Sequence, residues 1–247
     1  MRAEIRALHA EHKGRYGRPR LTAQLRQRGW RINPKRVYRI LTEEGLKPVH
    51  KRPYKATTDS AHAQPVAPNT LDRAFSPTAP NQVWATDITC LPTAQGWAYI
   101  AVILDLYSRK VIGVAVANHM RTELCETALT QALVLRQPAA GWLHHSDRGS
   151  QYTSTQYQAL LAQHQGRCSM SRKGNCWDNA VVESFFHTLK VEYLYQRTWE
   201  SPEEVAEELM RYLHGYYNAK RLHSHNQWRT PNEAERHFSH STPSLAA

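Results

Sequence analysis

Cysteine is scarce in this 247-residue chain: four residues, at 90, 125, 168 and 176, with no paired metal-ligand spacing. None lies before residue 90. That excludes a His/His/Cys/Cys zinc module near the N-terminal end, and the isolated thiols suit a reducing cytoplasm better than a disulfide scaffold. Apolar runs of membrane-spanning length are also missing, as is a secretory leader, so a cytoplasmic chain without membrane contact is expected. Sustained heptads are absent, which excludes a long coiled coil. Acidic residues are outnumbered, 21 against 32 Lys/Arg, giving a formal charge of +11 and a pI near 9.7. Such a balance points to a polyanionic partner, with DNA foremost.

The excess charge is not spread evenly. Residues 1–55 hold 16 Lys/Arg and 4 Asp/Glu, a balance of +12, whereas residues 56–247 hold 16 and 17, a balance of −1. The basic segment predicts three helices. Ile5 and Leu8, with His12, share a face over 2–13; Leu21 and Leu25 stand four apart over 20–28; Asn33 caps a third helix with Pro34 at its first position and Val37, Ile40 and Leu41 as its apolar stripe. Three short basic helices fit a helix-turn-helix-like DNA-binding domain over residues 1–50. Its candidate DNA contacts are Arg15, Arg18, Arg20, Lys35 and Arg36. Phosphate contact follows from charge alone, whereas base reading does not.

Residues 51–80 include Pro53, Pro65, Pro68, Pro77 and Pro80 and show neither helical nor strand periodicity, so an extended linker is expected there. From residue 81 to about 240 the pattern changes again. Strands are predicted over 83–91, 97–106 and 110–117, then a helix over 122–136, a strand ending at Asp147 followed by a turn at Arg148-Gly149-Ser150, a helix over 154–163, a weak strand over 167–170 and a helix carrying Glu183 with Asp178 as its N-cap. A helix over 202–218 and a final short helix from Thr230-Pro231 follow. Three antiparallel strands followed by β-α alternation make an α/β mixed sheet with flanking helices.

Three acids stand out. Asp87 lies in the strand Val83-Trp84-Ala85-Thr86-Asp87-Ile88-Thr89, Asp147 closes His144-His145-Ser146-Asp147, and Glu183 follows it after 35 intervening residues. Carboxylates brought together in one pocket repel one another unless a cation lies between them, and hard oxygen ligands suit Mg²⁺. Two such ions stabilise both the attacking and the leaving oxygen of an in-line phosphoryl displacement.

The surrounding motifs narrow the reading. Trp84-Ala85-Thr86-Asp87-Ile88-Thr89, His145-Ser146-Asp147-Arg148-Gly149-Ser150-Gln151-Tyr152, Ser169-Met170-Ser171-Arg172-Lys173-Gly174-Asn175-Cys176-Trp177-Asp178-Asn179-Ala180 and Glu183-Ser184-Phe185-Phe186-His187-Thr188-Leu189-Lys190 occur in that order. Together they resemble the catalytic, OrfB-type subunit of bacterial insertion-sequence transposases, members of the DDE integrase-core superfamily. The resemblance implies a ribonuclease-H-like core and two Mg²⁺ ions, with Mn²⁺ able to substitute, held by Asp87, Asp147 and Glu183 as catalytic and metal-binding residues. It further implies cleavage at element ends followed by 3′-hydroxyl strand transfer during DNA integration. The implied partners are double-stranded DNA, further copies of the chain on that DNA and a first-frame (OrfA) product, acting at the bacterial nucleoid. The closing motif Tyr216-Tyr217-Asn218-Ala219-Lys220-Arg221-Leu222-His223-Ser224 also resembles the family, although Asn226 stands where relatives carry a leucine.

Beside the acids, Arg148, Arg172, Lys173 and Lys190 are further candidates for DNA backbone contact, with Arg172-Lys173-Gly174-Asn175 expected to form a flap that orders on DNA. On the helix, Asn179, Glu183, His187 and Lys190 form a polar stripe beside the apolar Val182, Phe186, Leu189 and Tyr193, and His187 is not expected to be a ligand. Asp105, at a strand end before a turn, reads as structural. Two alternative functions share these features: a metal-dependent, structure-selective nuclease that cuts without joining, and an inactive DNA-binding regulator.

Overall fold

The computed structural model describes residues 1–49, 65–173 and 175–241. Its first three helices follow the apolar spacing. Helix α1 (Arg2–Glu11) buries Ile5 and Leu8, α2 (Arg18–Gln27) buries Leu21 and Leu25, and α3 (Pro34–Glu43) buries Val37, Ile40 and Leu41. The start of α3 is fixed as expected: Pro34 occupies its first position and the Asn33 side chain accepts a hydrogen bond from the Lys35 amide.

The core is a five-stranded mixed sheet. Strand β1 (Val83–Thr93) pairs antiparallel with β2 (Gly96–Asp105), and β2 with β3 (Val111–Ala117). Strand β4 (Leu143–Ser146) lies parallel to β1 on its other side, and β5 (Arg167–Met170) lies parallel to β4, so the order is β3-β2-β1-β4-β5. Strand β2 is buried on both faces because apolar layers cover both. One layer joins Trp84, Ile103 and Ile112 to α4 (Thr122–Arg136) and α6 (Thr155–Gln163). The other joins Ile100, Val102 and Val114 to α7 (Ala180–Glu192) and α8 (Pro202–Tyr212). Helix α4 lies so close to β3 that a Cβ at Gly113 would stand 2.1 Å from the Ala128 carbonyl oxygen, so only glycine fits.

Several expectations need correction. The turn expected at 148–150 leads straight into a four-residue helix, Ser150–Thr153, and the long helix expected over 202–218 ends at Tyr212 and continues as a π-helical turn, Leu213–Tyr217. That turn delivers Asn218 to the sheet edge, where its side chain accepts from the Val111 amide and donates to the Val111 carbonyl, at 3.0 and 2.9 Å. Asn226 is also satisfied: its amide donates to the Ser108 carbonyl at 2.6 Å, a bond a leucine could not make. The final helix runs from Pro231 to Ser241.

The part of the expected linker that falls within the described residues, 65–80, is not a free spacer. The Thr70 and Leu71 amides donate to the Ser169 hydroxyl, Leu71 enters the core, and Arg73 pairs with Asp178. Residues 51–64 lie outside the described residues.

Nor does the helical module stand apart. Tyr16 accepts from the Leu222 amide at 2.8 Å and donates to the Lys220 carbonyl at 3.1 Å, Arg20 donates to the Leu222 carbonyl, and Leu222 completes the apolar centre of the three helices. Arg15 donates to the Glu192 carbonyl with its guanidinium 4.5 Å from the centre of the Tyr216 ring. Beneath this seam the buried Arg221 forms a two-bond ion pair with Glu192, at 2.7 and 2.8 Å. Among the described residues no helix is long and apolar enough to cross a membrane.

Because Arg221 is buried, removing its partner strands a charge. Glu192→Gln is expected to destabilise the fold by about 3–5 kcal/mol. Urea denaturation monitored by tryptophan fluorescence measures this; a loss below about 1 kcal/mol would show the pair to be dispensable.

Candidate active site

The pairing register places the first two acids. Parallel pairing matches Val83, Trp84 and Ala85 with Leu143, His144 and His145. Asp87 and Asp147 each lie two residues beyond the last matched pair, and side chains two apart along a strand share a face. They therefore occupy equivalent places on neighbouring strands, at the end of the shorter one. Glu183 comes from α7, which packs on β1 and is tied to it where the Asn179 amide donates to the Thr86 carbonyl at 3.3 Å.

Electrostatics link the three. Burial pushes the Asp87 carboxyl well above the ordinary carboxylate range, and the neighbouring Asp147 is the next largest cause; the Ile88 amide opposes the rise, Glu183 adds to it and Lys190 opposes it. Asp147 Oδ1 accepts from the Gly149 amide at 2.9 Å, and a Cβ at Gly149 would stand 3.0 Å from that oxygen. Glu183 is exposed, and the partial desolvation it does experience raises it. Among the described residues no three Asp, Glu, His or Cys side chains gather closely enough to hold a metal ion as they stand. The donor set is nevertheless what a divalent cation takes: carboxylates alone, with Asp147 and Glu183 both disfavouring the ionisation of Asp87.

Around the acids several residues have partners within the chain. Lys190 is buried, with Cys90 and Asp87 as its electrostatic neighbours, so it faces the acids instead of reaching outward. Arg148 donates from Nε to the Ser171 carbonyl at 2.7 Å. Arg172 does not reach freely into solvent; it pairs with Asp178 at 2.8 Å and Asp72 at 3.2 Å. Lys173 is exposed, as are Arg18, Lys35 and Arg36. Arg15 and Arg20 are engaged in the seam with the core. His187 is half-buried on α7.

Asp178 is not the cap of α7. The residues before that helix form a 3-10 turn, Cys176–Asn179, and Asp178, fully buried, accepts from Asn69, Arg73 and the Arg172 amide and side chain. These bonds hold its carboxyl far below the usual range, Arg172 being the largest cause. Sequence reading missed this hub because its partners Asn69 and Arg73 lie more than 100 residues away, in a stretch without periodicity. A second chain of bonds orders the strand carrying Asp147. The Thr70 and Leu71 amides both donate to Ser169, whose hydroxyl must then donate to His145 Nδ1 at 2.9 Å; Nε2 is left to donate to Ser171 Oγ, which can donate to the Ser146 carbonyl. That sequence requires a neutral His145. The rival Asp105 is structural: its buried carboxylate accepts from the Asn81, Tyr107 and Ser108 amides.

Known proteins resemble this chain in sequence and in fold. Integrase core domain families match residues 77–176 and 164–231, and an HTH-like domain family matches residues 1–54. The transposase of insertion sequence element IS904 from Lactococcus lactis is 39% identical over 236 residues, covering 96% of this chain and 93% of its own. Transposase InsF of insertion sequence IS3A from Escherichia coli K12 is 43% identical over 220 residues, covering 89% and 76%. This chain belongs to the insertion-sequence transposases. A 31 kDa protein of insertion element IS600 from Shigella sonnei is also similar, 42% identical with 91% of this chain and 82% of its own covered. At the level of fold, the transposase chain is similar to the simian T-cell lymphotropic virus intasome (TM-score 0.55, 16% identity, 98% of this chain and 76% of that one) and to an HTLV-2 integrase catalytic core (TM-score 0.50, 16% identity, 64% and 98%). The ribonuclease-H-like core and the helical domain before it therefore stand as read.

The neutral histidines have a consequence for acid stability. Burial pushes His144 down to about 3 and His145 to about 4, whereas the unfolded chain takes up these protons near 6.5. Their contribution is therefore complete above pH 6.5 and is lost as pH falls toward 4, by roughly 3 kcal/mol for His145 alone. Asp87 acts in the opposite sense and the other depressed histidines, His223 and His225, in the same one, so the effect is read as the difference between Asp87→Asn and Asp87→Asn with His145→Gln. Urea midpoints should fall more steeply from neutral pH toward pH 4.5 when His145 is present; identical profiles would contradict the tautomer chain.

Proposed function

We propose that this chain cuts DNA at the ends of an insertion sequence and joins the freed 3′-hydroxyl to a second phosphodiester, using Asp87, Asp147 and Glu183. The observation that carries the reading is the equivalent placement of Asp87 and Asp147 on adjacent parallel strands, with Glu183 on the helix tied to Thr86. When bound between these carboxylates, two Mg²⁺ ions, or Mn²⁺ in their place, supply charge stabilisation of the attacking and leaving oxygens and lower the pKa of water. The protein's own contribution is positioning. Gly149 orients Asp147 through its amide, and the buried Lys190 tempers the charge around Asp87. The Asp178 hub ties the start of the loop before α7 to its end through Arg172 and fastens that loop to the 69–73 segment through Asn69 and Arg73.

Duplex capture falls to the exposed cations. Lys35, Arg36 and Arg39 project from α3 beside the exposed Tyr38, and Arg18 lies at the start of α2. Lys173 and Arg148 serve the strand near the acids, with Arg172 joining them only by leaving Asp178. Arg15 and Arg20 serve to seat the module, which fixes α3 relative to the catalytic pocket. Assembly of several copies on the DNA, together with an OrfA partner and action at the nucleoid, completes the proposal.

Two outcomes are expected. Asp87→Asn, Asp147→Asn and Glu183→Gln should each abolish cleavage and joining in gel assays with Mg²⁺ while binding duplex normally. The first two should melt no lower than wild type without metal, since each removes one of two repelling carboxylates. Cleavage at the wild-type rate by any of the three would exclude the assignment. Separately, replacing Lys35, Arg36 and Arg39 by Gln should flatten the dependence of log K on log salt by about 0.9 per lost phosphate contact. An unaltered slope would move the duplex to another face.

A further inference from the structure

A cavity of about 310 Å³ opens where α2, α7, the turn between β2 and β3, and the segment around residues 217–225 meet. It lies on a different side of α7 from the acids: Ser184 and Thr188 line it, and Ser184 is one residue, about 100°, round the helix from Glu183. Three guanidiniums line it: Arg20 comes from the helical module, Arg109 from the turn and Arg221 from the closing motif, which also contributes the imidazoles of His223 and His225.

These charges are not balanced from within. Glu192 serves Arg221 at 2.7 Å and stands 3.6 Å from Arg20, so one carboxylate answers two guanidiniums. Arg109 donates to the Leu106 and Phe75 carbonyls and contacts His225 Nδ1 at 3.2 Å; none of these partners is a carboxylate. Burial draws Arg109 down to about 10. Burial also holds His223 and His225 below their ordinary value, and the nearby arginines lower them further. A half-buried guanidinium whose hydrogen-bond partners are all neutral, and whose electrostatic neighbour Asp105 is already engaged by three backbone amides and Arg136, stands beside a second that shares its carboxylate, which leaves a site with surplus positive charge. Such a site is stabilised by an anion, and tetrahedral oxyanions match the planar forks of arginine. The first turn of α7, with Ala180 and Val181 on the wall, adds the favourable end of a helix dipole.

We propose that this cavity binds one phosphate group of a DNA strand, held jointly by Arg20 of the helical module and Arg109 and Arg221 of the core. The inference rests on the DNA-cutting reading above, because a strand held for attack beside Glu183 must pass the neighbouring face of α7. A phosphate there touches module and core at once, so binding DNA strengthens the seating of one on the other. Ser224 and His225 are exposed and mark the mouth through which the strand enters.

Two variants and one small anion test this. Ser224→Asp places a carboxylate at the mouth, where it satisfies the arginines internally, and Arg109→Gln removes a central cation. Each should weaken duplex binding about tenfold and flatten the salt slope by about 0.9, read by fluorescence anisotropy without metal. Ser224→Asp should melt at or above the wild-type temperature, which separates lost binding from lost fold. Inorganic phosphate, titrated at constant ionic strength, should raise the melting temperature of wild type but not of Ser224→Asp, and duplex should compete with it. Unchanged affinity and slope in folded Ser224→Asp overturns the proposal. A phosphate response without any change in duplex binding overturns the DNA assignment in favour of a free small anion. Since binding is read without metal, a wild-type chain that never cleaves would defeat the catalytic reading while leaving this test valid.

Discussion

Two half-buried carboxylates at equivalent places on adjacent parallel strands, close enough for one to push the other's pKa upward, set the terms for the rest of this structure. Like charges so placed cost stability, and a fold keeps them only where neighbouring groups fix them in position. The sheet does much of that work. The β1–β4 register puts Asp87 and Asp147 at equivalent places, and β2, buried on both faces, gives β1 a rigid partner along its whole length. Helix α7 then carries Glu183 across, anchored by Asn179 to the residue before Asp87.

Around this pocket the chain spends polar groups on order rather than on solvent contact. Asp178 gathers Asn69, Arg73 and Arg172, while Ser169, His145 and Ser171 form a single directional chain of hydrogen bonds behind the strand that ends at Asp147. Both networks reach back to residues 69–73, so the segment entering the catalytic core also braces it. On the far side, Arg15, Tyr16 and Arg20 dock the three helices onto the closing motif, and Leu222 belongs to their apolar centre. The helical domain and the core thus share a wall, and the surplus charge along it is what makes that wall a candidate DNA contact.

What could be read from residues alone was whatever depends on local spacing. Asn33-Pro34 announced α3, the bounds of the helix over 122–136 and of the strand over 167–170 were met, and the motifs around the three acids pointed to the integrase core. What could not be read depends on distant partners. Charge composition alone gave no sign that Arg15 and Arg20 also seat the helices on the core, because nothing local reveals tyrosine faces and carbonyls some 200 residues onward. Asp178 sits where a helix cap belongs, yet two arginines compete for it more strongly than the helix amides do. Prolines suggested an extended spacer over 65–80, since the Ser169 hydroxyl that receives the Thr70 and Leu71 amides leaves no trace in the local pattern.

The central claim is that the three acids form one cation site, brought to closure by the ion itself. The most direct measurement is a crystal structure grown with Mn²⁺ and a DNA end, with the metal located by anomalous scattering. The account predicts Mn²⁺ ligated by Asp87 and Asp147, with Glu183 drawn in from α7 and a DNA phosphate completing the coordination. Mn²⁺ at any other set of residues, with Asp87 left unligated, would contradict it.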